Sequence, residues 1–310
     1  MKTLLSKLAL LLVIVILCDF LIGKSLDHVV SAITTGGQGR DNYICEKSQE
    51  DIMIFGSSKA VHHYNSGIIE DSLDMTCYNC GEDGNGILLG YGRLLMAKER
   101  HQPKIIIYDV VPKYDLLQNE NHQYLAWLKA HYNRAGIAGI FHDTDNLERY
   151  KMHCSCYRHN SKFLQNLIVY FTHISTDEGI KGYRPLHGKL NTMRVKERTY
   201  KEHYDYDSVK MKYLHQFIAQ SAGSKLYFVV SPVWYRMDTT QTSATQPLIE
   251  ICQREGIPFF DFTNDPKYVG NDTFFKDGTH LNSQGANEFT KDLIRKIKEY
   301  EKSHSDKCNS

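Results

Sequence analysis

The stretch KIIIYDVV at residues 104–111 constrains the fold more than any other part of this chain. It is a continuous apolar, β-branched run with no polar residue on alternate positions until Asp109. A strand of that kind is buried on both faces, as in parallel sheets covered by helices. Shorter runs of the same character occur at DIMIF (51–55), MTCYN (75–79), KLYFVVS (225–231) and IPFFDF (257–262). Between them the apolar spacing turns helical, at Ile68–Leu73, Ile87–His101, Ser208–Ser221 and Thr245–Glu255, with an amphipathic stretch at Leu281–Tyr300. Alternating strands and helices predict an α/β fold, a three-layer α/β/α flavodoxin-like arrangement with a parallel sheet of about five strands. The interval from Pro112 to Asp207 breaks the beat. It is rich in His, Tyr, Arg and Asn, with one helical candidate at 160–173. Residues 112–207 therefore read as a long insertion after the third strand. It either forms a lid over the sheet's C-terminal edge, where such folds bind ligands, or is a peripheral structural excursion.

The N-terminus sets the compartment. Lys2 and Lys7 precede an apolar run from Leu8 to Leu17 that continues past Asp19 to Ile22. A basic start and an apolar core fit residues 1–23 as a signal anchor or a cleaved signal peptide. No small-x-small cleavage site follows, and the run is slightly short of the ~20 residues that span a bilayer. Cys18 raises a lipoprotein, but Leu17 is large for the residue before a lipidated cysteine. In each case the rest of the chain is exported to the cell envelope, with membrane attachment through the N-terminus. Residues 24–50 are polar, with a GGQGR stretch, and read as a linker ahead of one domain at 51–310. Export would place eight cysteines in an oxidising compartment. The CxxC at Cys77 and Cys80 and the CxC at Cys154 and Cys156 are too irregular for a zinc framework. Disulfides or free thiols fit better, although His142, His153 and His159 lie near the second pair. A net charge of +1 and no basic stripe give no case for nucleic acid. Twenty tyrosines against two tryptophans suit a polar ligand such as sugar, but more often such tyrosines belong to core and surface.

Two stretches carry chemistry. Gly56-Ser57-Ser58 ends the first strand and opens a helix. A serine there sits among helix N-terminal amides that favour negative charge. It can be a nucleophile or simply a helix cap. No glycine stands at position 60, so this is not a GxSxG elbow. The second stretch is FKDGTHLNSQGA, 275–286, between the last strand and the last helix. Asp277 and His280, three apart on a turn, can hydrogen-bond so that the carboxylate orients the imidazole as general base. The same residues also fit an Asp-Gly turn with an incidental histidine, and Asn282 or Ser283 as helix cap. The first and last connections of a doubly wound sheet can meet at one edge, uniting nucleophile, base and orienter. His62, His63 and Lys59 follow the serine on the helix and read as partly exposed or solvated side chains.

This order of motifs resembles the SGNH (GDSL-type) serine hydrolase superfamily, in its bacterial envelope form with a Gly-Ser-Ser first block. Gly56-Ser57-Ser58 is similar to the family's Gly-Asp-Ser, and Asp277-Gly278-Thr279-His280, followed by Leu and Asn, matches its Asp-x-x-His block. The resemblance covers about 51–110 and 225–298. It implies Ser58 as nucleophile, His280 as base and Asp277 as orienter. It also implies an oxyanion hole made by the Ser58 amide and a second-block glycine amide, Gly81 ahead of Gly84. No metal or organic cofactor is implied. The third block normally supplies an asparagine, but Asp109 stands there. A carboxylate donates no hydrogen bond unless protonated, so Asn79 or a group from the insertion must substitute, or activity is weak or absent.

Three functions remain open. The first is an exported serine esterase removing acetyl or other acyl groups from a carbohydrate or another small ester. The second is an envelope polysaccharide O-acyltransferase using the same triad, with a membrane-embedded acyl-donor partner. The third is a non-catalytic glycan-binding or assembly protein on the same fold. The missing third-block asparagine favours the third, and the intact Ser58, Asp277 and His280 oppose it.

Overall fold

The computed structural model describes residues 2–174, 179–190, 197–199, 201, 203–240 and 242–308. The chain begins with α1 (Lys2–Ala32), α2 (Gly36–Glu46), β1 (Ile52–Gly56), α3 (Ser58–His63), α4 (Ser66–Leu73), β2 (Cys77–Asn79), α5 (Ile87–Lys98), β3 (Ile105–Asp109) and α6 (Pro112–Asp115). Next come α7 (Ile137–Thr144), α8 (Glu148–Lys151), α9 (Ser155–His159), α10 (Phe163–Thr172) and β4 (Glu197–Thr199). The rest comprises α11 (Ser208–Gln220), β5 (Lys225–Val230), β6 (Arg236–Asp238), α12 (Gln246–Glu255), β7 (Phe259–Asp261) and α13 (Ser283–Cys308). These divide into two compact units, one of residues 1–47 and 120–177, the other of 48–119 and 178–310.

The second unit is the expected α/β fold. Five parallel strands lie in the order β2-β1-β3-β5-β7, with Gly56 in register with Asp109 and Asp109 with Val229. Every residue of β1 and β3 is buried, as the unbroken apolar runs require. Alternate side chains serve two layers. Ile52, Ile54, Ile107, Tyr227 and Val229 join Phe289, Leu293 and Ile297 of α13 in one core cluster. On the other face Phe55 and Tyr108 meet Phe217 of α11 edge-on, at 5.5 and 5.0 Å between ring centroids. Helix starts follow side-chain chemistry. The Asn65 carbonyl accepts from the amides of Gly67 and Ile68, and the Asp207 carboxylate from those of Val209 and Lys210. β4 and β6 form a separate parallel pair.

The first unit departs from the sequence reading. Residues 24–50, expected as a linker, are helical over most of their length. Their polar residues are turned inward: Gln38 donates to Asn42 at 3.0 Å, and Asn42 donates to the carbonyls of Val30 (2.6 Å) and Ile33 (2.9 Å). Asn42 thus ties the end of α1 to α2. Polarity here reflects internal hydrogen bonding, not solvation. α1 runs for 31 residues and is long and apolar enough to cross a membrane, with Leu8–Leu17 all exposed. Asp19, which interrupts the apolar run, accepts from the amides of Ser155 (2.7 Å) and Cys156 (2.9 Å) and from the Cys154 thiol (2.9 Å). That anchors α9 on α1 through the CxC stretch. Cys18, Cys45, Cys77, Cys80, Cys154, Cys156 and Cys252 form no disulfide. The interval 112–207 is not one insertion either: 120–177 belongs to the first unit, and 178–207 returns to the second.

Candidate active site

The Gly56-Ser57-Ser58 turn is forced by its backbone. Gly56 has φ +138°, and a Cβ there would lie 2.5 Å from the Asp109 carbonyl oxygen. Glycine alone tolerates that conformation and approach. Ser57 follows at the N-cap of α3 but makes no capping bond, and its buried hydroxyl has no partner among the described residues. Ser58 is the half-buried first residue of the helix, with its Oγ 2.9 Å from His280 Nε2. Neither serine side chain caps the helix, so the simpler alternative for this motif does not describe it.

The Asp-x-x-His turn is equally specific. His280 Nδ1 lies 2.9 Å from Asp277 Oδ2 and 3.1 Å from Oδ1. Oδ1 also accepts from the amides of Thr279 (2.8 Å) and His280 (2.9 Å) and from the Thr279 hydroxyl (3.0 Å). Partial burial alone would raise the Asp277 pKa, but the imidazole and these amides hold it well below the usual carboxylate range. An ionised carboxylate at Nδ1 assigns the ring proton there and leaves the Nε2 lone pair facing the Ser58 hydroxyl. Downstream, Asn282 Oδ1 accepts from the Gly285 amide and starts α13. Ser58, His280 and Asp277, some 220 residues apart in the chain, are therefore brought together.

A buried polar layer supports them, and sequence reasoning missed it. His63, expected to be partly exposed, is fully buried. Its Nε2 accepts from the Leu281 amide (2.9 Å), so Nδ1 carries the proton and donates to Ser231 Oγ (3.0 Å). Burial, and then the nearby cationic groups, push its pKa well down. Lys59, expected in solvent, is 7% exposed and donates to the Ser231 carbonyl at 2.8 Å. Burial lowers its pKa, opposed by Asp109 and Asp261. The only sequence signal for this layer is the i, i+4 spacing of Lys59 and His63 on α3, which gives them one helix face. Segment 180–190 adds a brace: the amides of Arg184 and Leu190 donate to the carbonyls of Val61 and Phe275, and the Ser283 amide donates to that of Leu186.

The residues expected around the oxyanion are otherwise engaged. The Gly81 amide donates to Asn79 Oδ1 at 3.1 Å. Asn79, the suggested substitute donor, is fully buried and gives its amide group to the carbonyls of Ala60 (2.6 Å) and Tyr64 (3.2 Å). Gly84 has φ +66° and open space around it, in the turn after β2. Asp109 is also buried. Its Oδ1 accepts from the Tyr64 hydroxyl (2.8 Å) and the Ser231 amide (3.0 Å), while Oδ2 has no partner among the described residues. Burial raises its pKa, partly offset by Lys59. Asn79 and Asp109 thus clamp α3 and its flanking loops, and neither is turned towards the Ser58 hydroxyl by any hydrogen bond.

A cavity of about 400 Å³ lies against Ser58 and His280, with Val111, Pro112, Val233 and Met237 among its apolar walls. It can hold an apolar acyl chain beside the hydroxyl.

No protein-family model matches the chain. No curated protein matches it either. Among solved structures, one aligns over 80% of this chain and 95% of its own at 10% identity, with a TM-score of 0.39. A provisionally assigned acylhydrolase from Bacteroides fragilis aligns over 84% of this chain and 96% of its own at 12% identity, with a TM-score of 0.35. Both likenesses are too loose to assign a role to any residue, so the case for chemistry stands on the geometry around Ser58.

Proposed function

We propose that the chain is a serine acyl-ester hydrolase of the SGNH (GDSL-type) kind, carried by one observation: the 2.9 Å approach of Ser58 Oγ to a histidine whose other nitrogen is held by a carboxylate. Ser58 attacks the ester carbonyl while His280 Nε2 takes its proton. His280 then protonates the leaving alcohol; a water deprotonated by His280 attacks the acyl group, and His280 returns that proton to Ser58 Oγ as the acid leaves. Asp277 keeps the imidazole in the tautomer this requires. The Ser58 amide lies in the first turn of α3, where amides have no partner within the helix, and it serves the oxyanion. The Gly81 amide is the second donor once it exchanges Asn79 Oδ1 for substrate.

The acyl chain occupies the apolar cavity, and the alcohol side is an acylated carbohydrate or another small ester. The protein is exported and held at the cell envelope by α1. The exposed Leu164, Ile168 and Phe171 on one face of α10 add lipid contact, since α10 packs on α1 within the same unit. The test is labelling of the full chain in detergent by a fluorophosphonate probe, alongside hydrolysis of p-nitrophenyl esters. Both should vanish in Ser58→Ala. A folded parent that is neither labelled nor active sinks the proposal. It would instead favour a non-catalytic binding protein, the reading supported by the engaged Gly81 amide and the carboxylate at position 109.

A further inference from the structure

The polar interior of the first unit concentrates three metal-binding side chains. α2 buries Gln38, Arg40, Asp41, Asn42 and Cys45 alongside Ile44. Asp41 and Cys45 are one turn apart on that helix and so share a face. His131, ending the short 3₁₀ helix Lys129–His131, comes from the other stretch of chain in the unit. All three are buried, at 1%, 0% and 7% exposure. His131 Nε2 is 3.2 Å from Asp41 Oδ2, Cys45 Sγ is 3.9 Å from Asp41 Oδ1, and one ligand atom from each residue lies within 4.8 Å of the others. They form the one His/Cys/carboxylate cluster of this kind among the described residues.

We propose that Asp41, Cys45 and His131 bind a zinc ion that fastens α2 to segment 120–177. A tetrahedral zinc with bonds of ~2.3 Å to sulfur and ~2.0 Å to nitrogen and oxygen holds its ligand atoms roughly 3.3–3.6 Å apart. The three ligand atoms lie within 4.8 Å of one another, so a shift of about an ångström closes them to that spacing. One thiolate, one imidazole and one carboxylate select zinc over magnesium or calcium, which prefer all-oxygen shells. A second carboxylate stands behind the ring: Glu46 Oε1 is 3.8 Å from His131 Nδ1 and is itself held by Arg134 at 2.9 Å. At that distance the two are not hydrogen-bonded, and a small approach of Glu46 gives the distal nitrogen the carboxylate that usually supports a metal-binding histidine. On binding, the Cys45 thiol releases its proton to solvent, and thiolate and carboxylate together neutralise the ion. Three protein ligands leave a fourth position for water, and His131 also lines a cavity of about 330 Å³. Because the ligands come from two separate stretches, binding energy becomes folding energy of the unit.

The test uses the full chain in detergent, purified on a tag without histidines and passed over chelating resin. Plasma mass spectrometry should find about one zinc per chain, falling to a small residue in Cys45→Ser and His131→Gln. Cys80→Ser should retain it. Reconstitution with cobalt(II) should give the intense tetrahedral bands and the thiolate charge-transfer band, the latter lost in Cys45→Ser. A parent chain with no more zinc than the ligand variants, or a cobalt spectrum without thiolate, overturns the assignment. Should the variants not fold, the zinc content and cobalt spectrum of the parent decide alone.

Discussion

The two sides of the Ser58 hydroxyl are built on different plans. On one side, Asp277, Thr279 and His280 form a self-contained turn in which four residues fix the base and its tautomer. On the other, Gly81, Asn79 and Asp109 come from the ends of two different strands, and their polar groups are spent on α3 and its neighbours. A proton relay can be assembled from a local motif. Charge stabilisation depends on where long-range clamps leave an amide free. In this chain the clamps point into the protein.

The largest expected effect tests the relay side. Ser58→Ala should cut kcat/KM for p-nitrophenyl esters by roughly 10³-fold or more, to the level of binding and environment alone. Asp277→Asn should follow, losing on the order of 10²- to 10⁴-fold by stabilising the wrong tautomer. The lower end is expected because the Asp277 side chain is 53% exposed and water can partly replace it. A loss below about tenfold would mean that the turn alone, not the carboxylate, orients His280. The depressed pKa of Asp277 has a stability consequence of definite sign. Its contribution is present above the ordinary carboxylate pKa and is lost as pH falls through the lower folded value. Acid melts of the parent and Asp277→Asn should therefore converge at low pH.

The meeting of Ser58 with His280 and Asp277 was legible in sequence because its parts are local: Gly56-Ser57-Ser58 and Asp277-x-x-His280 each carry their geometry in a few residues. The sheet was legible because β1 and β3 are buried on both faces, so composition alone marks them. What escaped depended on partners far away. Nothing in HH at 62–63 says that one ring meets Ser231 and the Leu281 amide while its neighbour meets the Arg184 carbonyl and Asp83. Lys59 looked solvated because a lysine capping a carbonyl 172 residues away has no local signature. The polar residues of 24–50 looked like a linker for the same reason, since Asn42 earns its place only through the α1 carbonyls.

His63 links the two sides, and its loss should be felt mainly as stability. His63→Ala removes two buried hydrogen bonds and strands the Leu281 amide, at a cost of about 2–4 kcal/mol in urea unfolding. Because Leu281 follows His280, kcat/KM should also drop, by roughly tenfold. The folded protein holds His63 neutral, with its pKa depressed. The unfolded chain protonates it near the ordinary value of about 6.5. Below that pH the unfolded state binds the extra proton, so parent stability should fall as pH drops from 7.5 to 5. In His63→Gln that part of the slope should disappear. An unchanged slope would show that His63 is accessible to protons in the folded state.

The smallest effect is the one that could undo the comparison. Asp109→Asn places at position 109 the residue expected of an oxyanion donor. If Asp109 is a clamp, the new Oδ1 keeps the Tyr64 hydroxyl and the Ser231 amide, and the new NH₂ group takes the buried place of Oδ2. No additional donor from position 109 then reaches the substrate, and kcat/KM should stay within about threefold of the parent. The stability signature is separate. Burial raises the Asp109 pKa, so the folded state binds a proton more readily than the unfolded chain. Between the ordinary and the raised value, that proton makes the parent lose stability as pH rises. Asparagine removes this slope, and it also removes one of the two carboxylates that favour the charged form of buried Lys59. Unfolding of parent and variant across pH 4–8 reads the slope directly. A gain of about a hundredfold in kcat/KM would instead show that position 109 faces the oxyanion. The two sides of Ser58 would then share one plan, with a single carboxylate holding the activity down.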